Sequence, residues 1–392
     1  MELRRPRVLA LVLAGGEGGR LDVLTEERAK PAMPFAGVYR LIDFTLSNLR
    51  NSGVSDVWVI QQYEPHSLTE HLANGRPWDL DRTHGGMRVL HPHIGRSESG
   101  WYEGNADAIF RSKADIRSFD PDLLLVMSAD HVYTLDLARV IAEHVERDAD
   151  ATLVTTRVPQ EEAGRFGVVQ VGTDGKVERY DYKPEEPEGD IVATEVFLFG
   201  AEGLLAGLEE LADGDDDSGL EDLGDEYLPQ LVREGDVREH RLEGHWRDVG
   251  TVESYWEGHM EFLGPDPPLD LGDPDWPILT WAVTHPPARI SATGAVEESL
   301  VSPGCEIHGT VVHSVLAPGV CVEEGAEVRD SVVLHDAVIR SSGRVERAIV
   351  DELAEIRTRV GEAEGEIALV GRCARVTDPV EPGGRVQPHS GS

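Results

Sequence analysis

Two cationic side chains flank a glycine-rich loop near the amino terminus. Residues 14–21 read Ala-Gly-Gly-Glu-Gly-Gly-Arg-Leu, and Lys30 follows Arg20 by ten residues. Closely spaced glycines let a backbone turn sharply and direct its N–H groups at an anion. A guanidinium binds phosphate through a planar fork, whereas an ammonium acts as a point charge. The stretch therefore predicts a phosphate-binding loop, and Lys30 is one of only four lysines in the chain.

Two familiar phosphate-binding motifs do not fit this loop. A Walker loop ends in Gly-Lys-Ser/Thr, whereas here Gly19-Arg20-Leu21 closes the turn. The dinucleotide fingerprint needs a third glycine three residues after the second, and counted from Gly18 that position is Leu21. A plain glycine-rich turn between a strand and a helix remains the alternative to a phosphate site.

A carboxylate follows a predicted buried strand. Residues 123–127 are Leu-Leu-Leu-Val-Met, and Asp130 comes just beyond them. Magnesium held partly by nucleotide phosphates needs a hard oxygen ligand in such a place. Aspartate at a strand end is as often a turn or capping residue, so the pattern alone makes Asp130 only a candidate ligand of Mg²⁺.

Strand and helix patterns alternate through the first part of the chain. Such alternation predicts an α/β fold, with a doubly wound, mainly parallel sheet whose ligands bind at the carboxyl ends of the strands. The predicted strands are 8–13, 54–61, 123–127 and 151–158, and the predicted helices are 105–118, 135–146 and 252–262, the last beginning at Thr251.

The sequence pattern changes after a proline-rich stretch. Beyond it, valine or isoleucine recurs at six-residue intervals, which is typical of a parallel β-helix built from hexapeptide repeats. We therefore expect a catalytic domain at 1–264, a linker at 265–290 and a repeat domain at 291–392. A helical solenoid and a β-sandwich are the alternatives. Similar tails occur in acyltransferases that use a histidine base, but we interpret His308, His313 and His335 as coil-facing or surface residues.

Composition limits the partners and the compartment. A net charge of −37 argues against nucleic acid and against an anionic membrane surface. No apolar stretch approaches the roughly 18 residues of a membrane span, and the basic and apolar start opens directly into the glycine loop, unlike a signal peptide. Three widely spaced cysteines predict neither a disulfide framework nor a zinc site, and a cytoplasmic location is expected. The acidic segment 213–226 is predicted to be a solvated loop.

The glycine loop resembles the signature of the sugar-1-phosphate nucleotidyltransferases, Leu-x-Gly-Gly-x-Gly-Thr/Ser-Arg-Leu followed by Lys-Pro. Gly19 replaces the usual hydroxyl residue. The order of motifs is most similar to that of the glucose-1-phosphate adenylyltransferases, and the motifs are residues 28–32, 39–44, 100–108, 165–169, 180–184 and 245–251. The resemblance implies a Rossmann-like catalytic domain, a left-handed β-helix and a homotetramer. It implies that ATP and α-glucose 1-phosphate give ADP-glucose and pyrophosphate with Mg²⁺.

The resemblance also implies the site residues. Arg20, Lys30 and Asp130 would be catalytic, and Asp130 and Asp248 would hold the metal. Nucleotide-binding positions would be Leu13, Ala14, Gly15, Gly16, Gly18, Gln62, Gly104, Asn105 and Ala106. Substrate-binding positions would be Tyr102, Gly167, Tyr182, Lys183, Glu195 and Trp246.

Three positions depart from the family pattern. Besides Gly19, Tyr182 stands where the family commonly has Glu, and Glu195 interrupts a run of small residues near the sugar hydroxyls. A nucleotidyltransferase for a different sugar 1-phosphate and a non-catalytic regulatory paralogue therefore stay open as alternatives. Glu26 and Glu27 beside the Lys-Pro loop argue against an anionic activator site.

Overall fold

The computed structural model describes residues 5–16, 18–92, 102–212, 219–281 and 284–391. Glu17, Gly100, Trp101 and part of the acidic segment 213–226 lie outside the described residues. None of the helices in these ranges has the length and apolar character needed to cross a membrane.

The first part of the chain forms an α/β domain. Its strands are β1 (Val8–Ala14), β2 (Pro34–Phe35), β3 (Tyr39–Arg40), β4 (Asp56–Gln61), β5 (Gly86–Leu90), β6 (Leu123–Ser128), β7 (His131–Tyr133), β8 (Ala151–Arg157), β9 (Gly167–Val171), β10 (Val177–Tyr182), β11 (Ile191–Gly200), β12 (Val237–Arg241) and β13 (Trp246–Asp248). Its helices are α1 (Leu41–Asn51), α2 (Pro65–Leu72), α3 (Asn105–Arg111), α4 (Lys113–Phe119), α5 (Leu137–Arg147), α6 (Gln160–Ala163), α7 (Ala201–Leu211), α8 (Tyr227–Glu234) and α9 (Val252–Met260). Short 3₁₀ turns span Gly19–Leu24, Lys30–Ala32, Ala73–Trp78 and Glu261–Leu263.

The central sheet confirms the doubly wound fold and is mixed. Strands β6, β1, β4 and β5 run parallel, while β11 pairs antiparallel with β6 and with β8. Strand β1 is the middle of the parallel half, and its apolar side chains from Leu9 to Val12 have no exposed surface. Separate apolar cores pack on its two faces. A strand buried on both faces explains the continuous apolar run in the sequence.

The helix predicted at 105–118 is two helices. Helix α3 ends at Arg111 and α4 begins at Lys113, with Ser112 between them at φ −89° and ψ 1°. The Ser112 hydroxyl donates to the carbonyl of Ala108, 2.8 Å away. A serine that bonds back to the preceding turn competes with the helical ladder and bends it. Helix α9 starts as predicted, since Ser254 N donates to the Thr251 hydroxyl at 3.1 Å.

The last part of the chain is a left-handed parallel β-helix of short strands. These are β14 (Arg289–Ile290), β15 (Ala295–Glu297), β16 (Leu300–Val301), β17 (Glu306–Ile307), β18 (Thr310–Val312), β19 (Val315–Leu316), β20 (Cys321–Val322), β21 (Glu327–Arg329), β22 (Val332–Val333), β23 (Val338–Ile339), β24 (Arg344–Glu346), β25 (Ala348–Val350), β26 (Glu355–Ile356), β27 (Arg359–Val360), β28 (Ala368–Val370), β29 (Arg375–Val376) and β30 (Arg385–Val386). Each strand from β14 to β26 pairs in parallel with the strand three further along the chain, so that Ile307, Val322, Ile339 and Ile356 stack inside the coil.

The β-helix packs against the loop that follows the glycines. Leu21 and Leu24 of that loop share one apolar core with Val332, Ile349 and Leu369 of the β-helix. A set of polar contacts that we call the interdomain clamp surrounds this core: Arg28 with Asp351 at 2.5 Å, Asp22 with Arg385 at 2.9 Å, and Glu27 with His389 at 2.9 Å. The back of the glycine loop is therefore built by the β-helix.

The three histidines of the β-helix differ in their surroundings. His313 pairs with Asp330 at 2.7 Å on the surface, and His308 is also partly exposed. His335, by contrast, lies at the domain interface with Nδ1 3.6 Å from Glu352 of the same coil stack. Burial at this interface and Arg40 of the α/β domain together lower the pKa of His335 to about 4, although Glu352 opposes this change.

Candidate active site

The glycine loop leaves strand β1 at the carboxyl edge of the parallel half of the sheet. Gly18 has φ +69°, and a Cβ there would lie 3.0 Å from Thr25 Cγ2 and 3.3 Å from Lys30 Cβ. The Gly18 carbonyl accepts from the Thr25 hydroxyl at 2.9 Å. A Cβ on Gly19, in contrast, would meet no described atom within 4 Å. The turn therefore requires glycine at 18, whereas the replacement of a hydroxyl residue by Gly19 leaves the turn itself intact.

Lys30 bridges two carboxylates from distant parts of the chain. Its Nζ lies 2.6 Å from Asp130 Oδ2 and 3.3 Å from Asp248 Oδ1. The short ladder between β7 and β13 brings these carboxylates together, because it pairs His131 with Asp248. Arg165 Nη2 lies 2.7 Å from the other oxygen of Asp248. Burial alone would raise the pKa of Asp130, but the Lys30 ammonium and His131 hold it well below its usual value.

The donor set around Asp130 fits a divalent cation. One ligand atom each from Asp130, His131 and Glu195 lies within 4.8 Å of the others. His131 Nε2 is 3.8 Å from Asp130 Oδ1 and 3.9 Å from Asp248 Oδ1. The hydroxyl of Ser128 donates to Asp130. Mg²⁺ prefers converging carboxylate oxygens as ligands. In this structure the Lys30 ammonium lies between the carboxylates of Asp130 and Asp248.

Another wall of the cavity is built around Gln62 at the end of β4. Its amide donates to the Tyr102 carbonyl at 3.0 Å and accepts from the Tyr102 backbone at 2.7 Å. The Asn105 side chain is engaged by the Leu223 backbone at 2.6 Å. A Cβ on Gly104 would lie 2.1 Å from the carbonyl oxygen of Glu221. This wall depends on a close backbone approach that only glycine permits.

A further group of polar residues surrounds Tyr182. Its hydroxyl donates to Asp222 Oδ2 at 2.6 Å and accepts from Lys183 Nζ at 2.5 Å. Lys183 is half exposed and lies 4.0 Å from Asp222. Burial, together with Asp130 and Asp248, raises the pKa of Glu195, although His131 opposes that rise.

These groups line one cavity of about 450 Å³. Of the residues predicted from the sequence, those on its wall are Leu13, Gly15, Gly16, Lys30, Gln62, Tyr102, Gly104, Asn105, Asp130, Tyr182, Lys183 and Glu195. The others lie behind or beside it, and they are Ala14, Gly18, Arg20, Ala106, Gly167, Trp246 and Asp248. The structure assigns no ligand to any of them, so their roles stay predictions.

Several of the residues beside the cavity support its wall. The Trp246 ring packs edge-on against His131 and Phe166, with centroids 5.0 and 5.2 Å away. Gly167 lies under Tyr180, whose hydroxyl would be 2.2 Å from an added Cβ. The guanidinium of Arg20 and the carboxylate of Asp248 both lie against Gly250, since an added Cβ there would be 2.9 Å from each.

Asp222 is a charged wall residue that sequence reasoning missed. Asp222 lies in the acidic segment predicted to be a solvated loop, yet it lines the cavity and bonds to Tyr182. Leu220 and Leu223 anchor this part of the segment, because their side chains are 5% and 0% exposed. Leu220 and Leu223 within the acidic run were the sequence signal that could have predicted this burial. The solvated-loop prediction is therefore wrong for Leu220, Leu223 and Gly224, which are buried, whereas Gly219, Glu221, Asp225 and Glu226 are exposed.

Comparison with known proteins adds two family models and many relatives. The model described as "Nucleotidyl transferase" matches residues 9–264, and the one described as "GlmU-like, C-terminal hexapeptide" matches residues 286–366. A glucose-1-phosphate adenylyltransferase of Acetivibrio thermocellus is 38% identical over 365 residues, covering 93% of this chain and 85% of that protein. The same enzyme of Thermotoga maritima is 43% identical over 323 residues, covering 82% and 76%. That of Bacillus thuringiensis is 40% identical over 348 residues, covering 88% and 92%.

Proposed function

This chain belongs to the glucose-1-phosphate adenylyltransferases, and on that premise we propose that it transfers the adenylyl group of ATP to α-D-glucose 1-phosphate. The products are ADP-glucose, the glucosyl donor for glycogen and related α-glucans, and pyrophosphate. The observation that carries this proposal is the meeting of Lys30 with Asp130 and Asp248 beside the glycine loop. Lys30 and Asp130 line the same cavity as Lys183.

The chemistry needs positioning and charge neutralisation. A phosphate oxygen of the sugar phosphate attacks the α-phosphorus of ATP, and the bond to the pyrophosphate oxygen breaks in line with it. The nucleophile is already ionised, so no general base is required. The glycine-loop amides and Arg20 bind the β- and γ-phosphates, Lys30 neutralises charge on the departing pyrophosphate, and Lys183 binds the incoming sugar phosphate.

Asp130 and Asp248 would hold Mg²⁺, which when bound supplies further charge neutralisation at the phosphates. Both carboxylates are positioned for this role by the β7–β13 ladder and by the Ser128 hydroxyl. Arg165 keeps one oxygen of Asp248 oriented.

We also propose the organisation around this site. The catalytic domain comprises residues 1–264, the linker 265–290 and the β-helix 291–392, and the protein works as a homotetramer in the cytoplasm. The three cysteines, none paired with another, support a reducing compartment. Light scattering tests the assembly.

The decisive test is pyrophosphate release, coupled to a pyrophosphatase, from the purified protein with Mg²⁺ across a grid of nucleoside triphosphates and sugar 1-phosphates. We expect a clear preference for ATP with glucose 1-phosphate. Preference for another pair would keep the mechanism and replace the substrate. A folded protein that binds nucleotide but releases no pyrophosphate on any pair would instead be a regulatory paralogue.

A further inference from the structure

Helix α1 buries polar side chains in its interior turns. Thr45 and Asn48 lie one turn apart on the same face of the helix, and neither has any exposed surface. Threonine and asparagine are poor residues for a helix interior, because their side chains offer the backbone competing hydrogen bonds. Burying such groups costs free energy unless they are hydrogen-bonded. The partners of these two side chains therefore indicate what the buried polar face does.

Thr45 and Asn48 bond to the chain on either side of Asp130. The Thr45 hydroxyl donates to the Ser128 carbonyl at 3.0 Å, two residues before Asp130. The Ser128 hydroxyl in turn donates to the Asp130 carboxylate. The Asn48 amide donates to the Tyr133 carbonyl at 3.1 Å, three residues after Asp130. Helix α1 therefore holds both ends of the short connection that carries this carboxylate.

The Asn48 amide is held in one orientation. Its oxygen accepts from Leu135 N at 3.1 Å and from the Trp276 indole at 3.0 Å, while its nitrogen donates to the Tyr133 carbonyl. The first two partners only donate and the third only accepts, so exchanging the amide oxygen and nitrogen would break all three bonds. Trp276 belongs to the segment proposed as the linker and packs against the apolar core that the β-helix shares. The linker thus fixes a side chain that in turn fixes the end of β7.

Strand β7 connects Asn48 to both carboxylates that would hold the metal. Asp130 directly precedes this strand, and the ladder with β13 pairs His131 with Asp248. A shift of β7 would therefore move both carboxylates relative to the Lys30 ammonium, which now lies 2.6 Å from one and 3.3 Å from the other. Groups that orient the ligands of a metal affect its affinity and the activity that depends on it.

We propose that Thr45 and Asn48 are positioning residues for Asp130 and Asp248, and that Trp276 holds the Asn48 amide in the orientation this task needs. The inference rests on the proposed function, since it concerns the metal site of the same reaction. The linker then does more than join two domains, because it completes the support of that site.

The test compares Thr45→Val, Asn48→Ala and Trp276→Phe with the wild-type protein. Ser47→Ala is the matched control: Ser47 is equally buried in the same helix and accepts from Leu279 N of the linker at 2.9 Å, so its loss spares the bonds that Thr45 and Asn48 make. The Mg²⁺ concentration that gives half the maximal rate of pyrophosphate release is measured for each protein. The Mn²⁺ affinity of the complex with α,β-methylene-ATP, which needs no turnover, is measured by electron paramagnetic resonance. Urea titration gives the stability.

Thr45→Val and Asn48→Ala are expected to weaken the Mn²⁺ affinity and raise the half-saturating Mg²⁺ concentration about 10- to 100-fold, as loss of a group that orients metal ligands does. Trp276→Phe leaves Asn48 its bonds to the strand and should show a smaller rise. Thr45→Ser keeps the hydroxyl and should restore wild-type metal affinity. Ser47→Ala should lose stability and leave both metal measurements unchanged, and the KM for glucose 1-phosphate should not change in any variant.

The inference is overturned if Thr45→Val and Asn48→Ala alter the metal measurements no more than Ser47→Ala does, because these side chains would then only stabilise the fold. Equal impairment in Thr45→Ser and Thr45→Val would also overturn it, since the hydroxyl would then be irrelevant. If Asn48→Ala does not fold, the comparison of Thr45→Val with Thr45→Ser decides the question.

The metal measurements also separate this inference from the proposed function. If the wild-type protein prefers another sugar 1-phosphate, the proposed function fails, but the Mn²⁺ affinities of the nucleotide complex still decide the role of Thr45 and Asn48. If the wild-type complex binds no more Mn²⁺ than the nucleotide analogue alone, the inference falls whatever the substrate is.

Discussion

Removing the charge of Arg28 should destabilise the whole protein. Arg28 and Asp351 are 4% and 1% exposed, and Arg28 Nη2 lies 2.5 Å from Asp351 Oδ1. The other oxygen of Asp351 has no hydrogen-bond partner among the described residues. Arg28→Met fills much of the same space but leaves the Asp351 carboxylate buried without its counter-charge. Breaking a buried ion pair from one side costs about 3–5 kcal/mol.

A double-mutant cycle separates the pair from its surroundings. Asp351→Leu should cost less than Arg28→Met, because Arg28 keeps Glu352 at 3.6 Å. The variant with both substitutions removes both charges and should recover about 2–4 kcal/mol relative to Arg28→Met. The free energy of unfolding is measured by urea titration, with circular dichroism and tryptophan fluorescence as independent probes. Arg28 lies two residues before Lys30, so the rate of pyrophosphate release should fall in the single variant and recover in the double one.

Two results would refute this reasoning. One is a loss of less than about 1 kcal/mol in Arg28→Met, which would mean that water or protonation of the Asp351 carboxyl removes the cost of its unpaired charge. The other is a double variant as unstable as Arg28→Met, which would mean that the packing of the arginine side chain, rather than its charge, stabilises the interface.

Four further predictions concern catalysis, the loop, acidity and regulation. Asp130→Ala should abolish pyrophosphate release while leaving the circular dichroism spectrum unchanged, and a near-normal rate with Mg²⁺ would contradict the metal assignment. Gly18→Ala should cost about 1–3 kcal/mol of unfolding free energy, because Gly18 has a left-handed φ and is crowded by Thr25. Gly19→Ser is a matched change in open space and should cost less than about 0.5 kcal/mol. Burial alone would raise the pKa of Glu352, but Arg28 and Arg40 lower it to about 2 from 4.5. The contribution of Glu352 to stability is therefore complete above about pH 4.5 and is lost as the pH falls toward 2. This pH dependence should be absent in Glu352→Gln, and acid titration of unfolding checks it. Sugar bisphosphates should not activate the enzyme strongly, because the carboxylates of Glu26 and Glu27 beside Arg28 repel anions. Strong activation in an effector titration would contradict this prediction.

Local signals in the sequence predicted much of the site. The apolar run of β1, the glycines and Lys30 lie within one short stretch, and their spacing alone indicated phosphate binding. Gly18 shows why a local signal is enough here, because its left-handed φ and its contact with Thr25 depend only on the turn itself. The carboxylate of Asp130 was predicted in the same way, from its place after a buried strand.

Contacts between distant parts of the chain could not be predicted in this way. Asp130 and Asp248 meet through the two-stranded ladder of β7 and β13, whose strands are only three residues long and have no periodic signal. Arg28 and Asp351 are 323 residues apart. Asp222 was missed because a charged run normally indicates solvent exposure, and only its leucine neighbours hold it against the cavity.

The interdomain clamp ties an early loop of the chain to residues that are synthesised much later. Arg385 and His389 contact Asp22 and Glu27 across more than 360 residues. The sheet around β1 has all its strands once β12 has emerged from the ribosome, but the loop that follows the glycines gains these two contacts only when Arg385 and His389 have been made. A chain synthesised as far as β12 therefore holds every strand of the central sheet, but its loop still lacks the contacts of Asp22 and Glu27. Loss of Arg385 and His389 would spare the central sheet and remove two of the three contacts of the interdomain clamp.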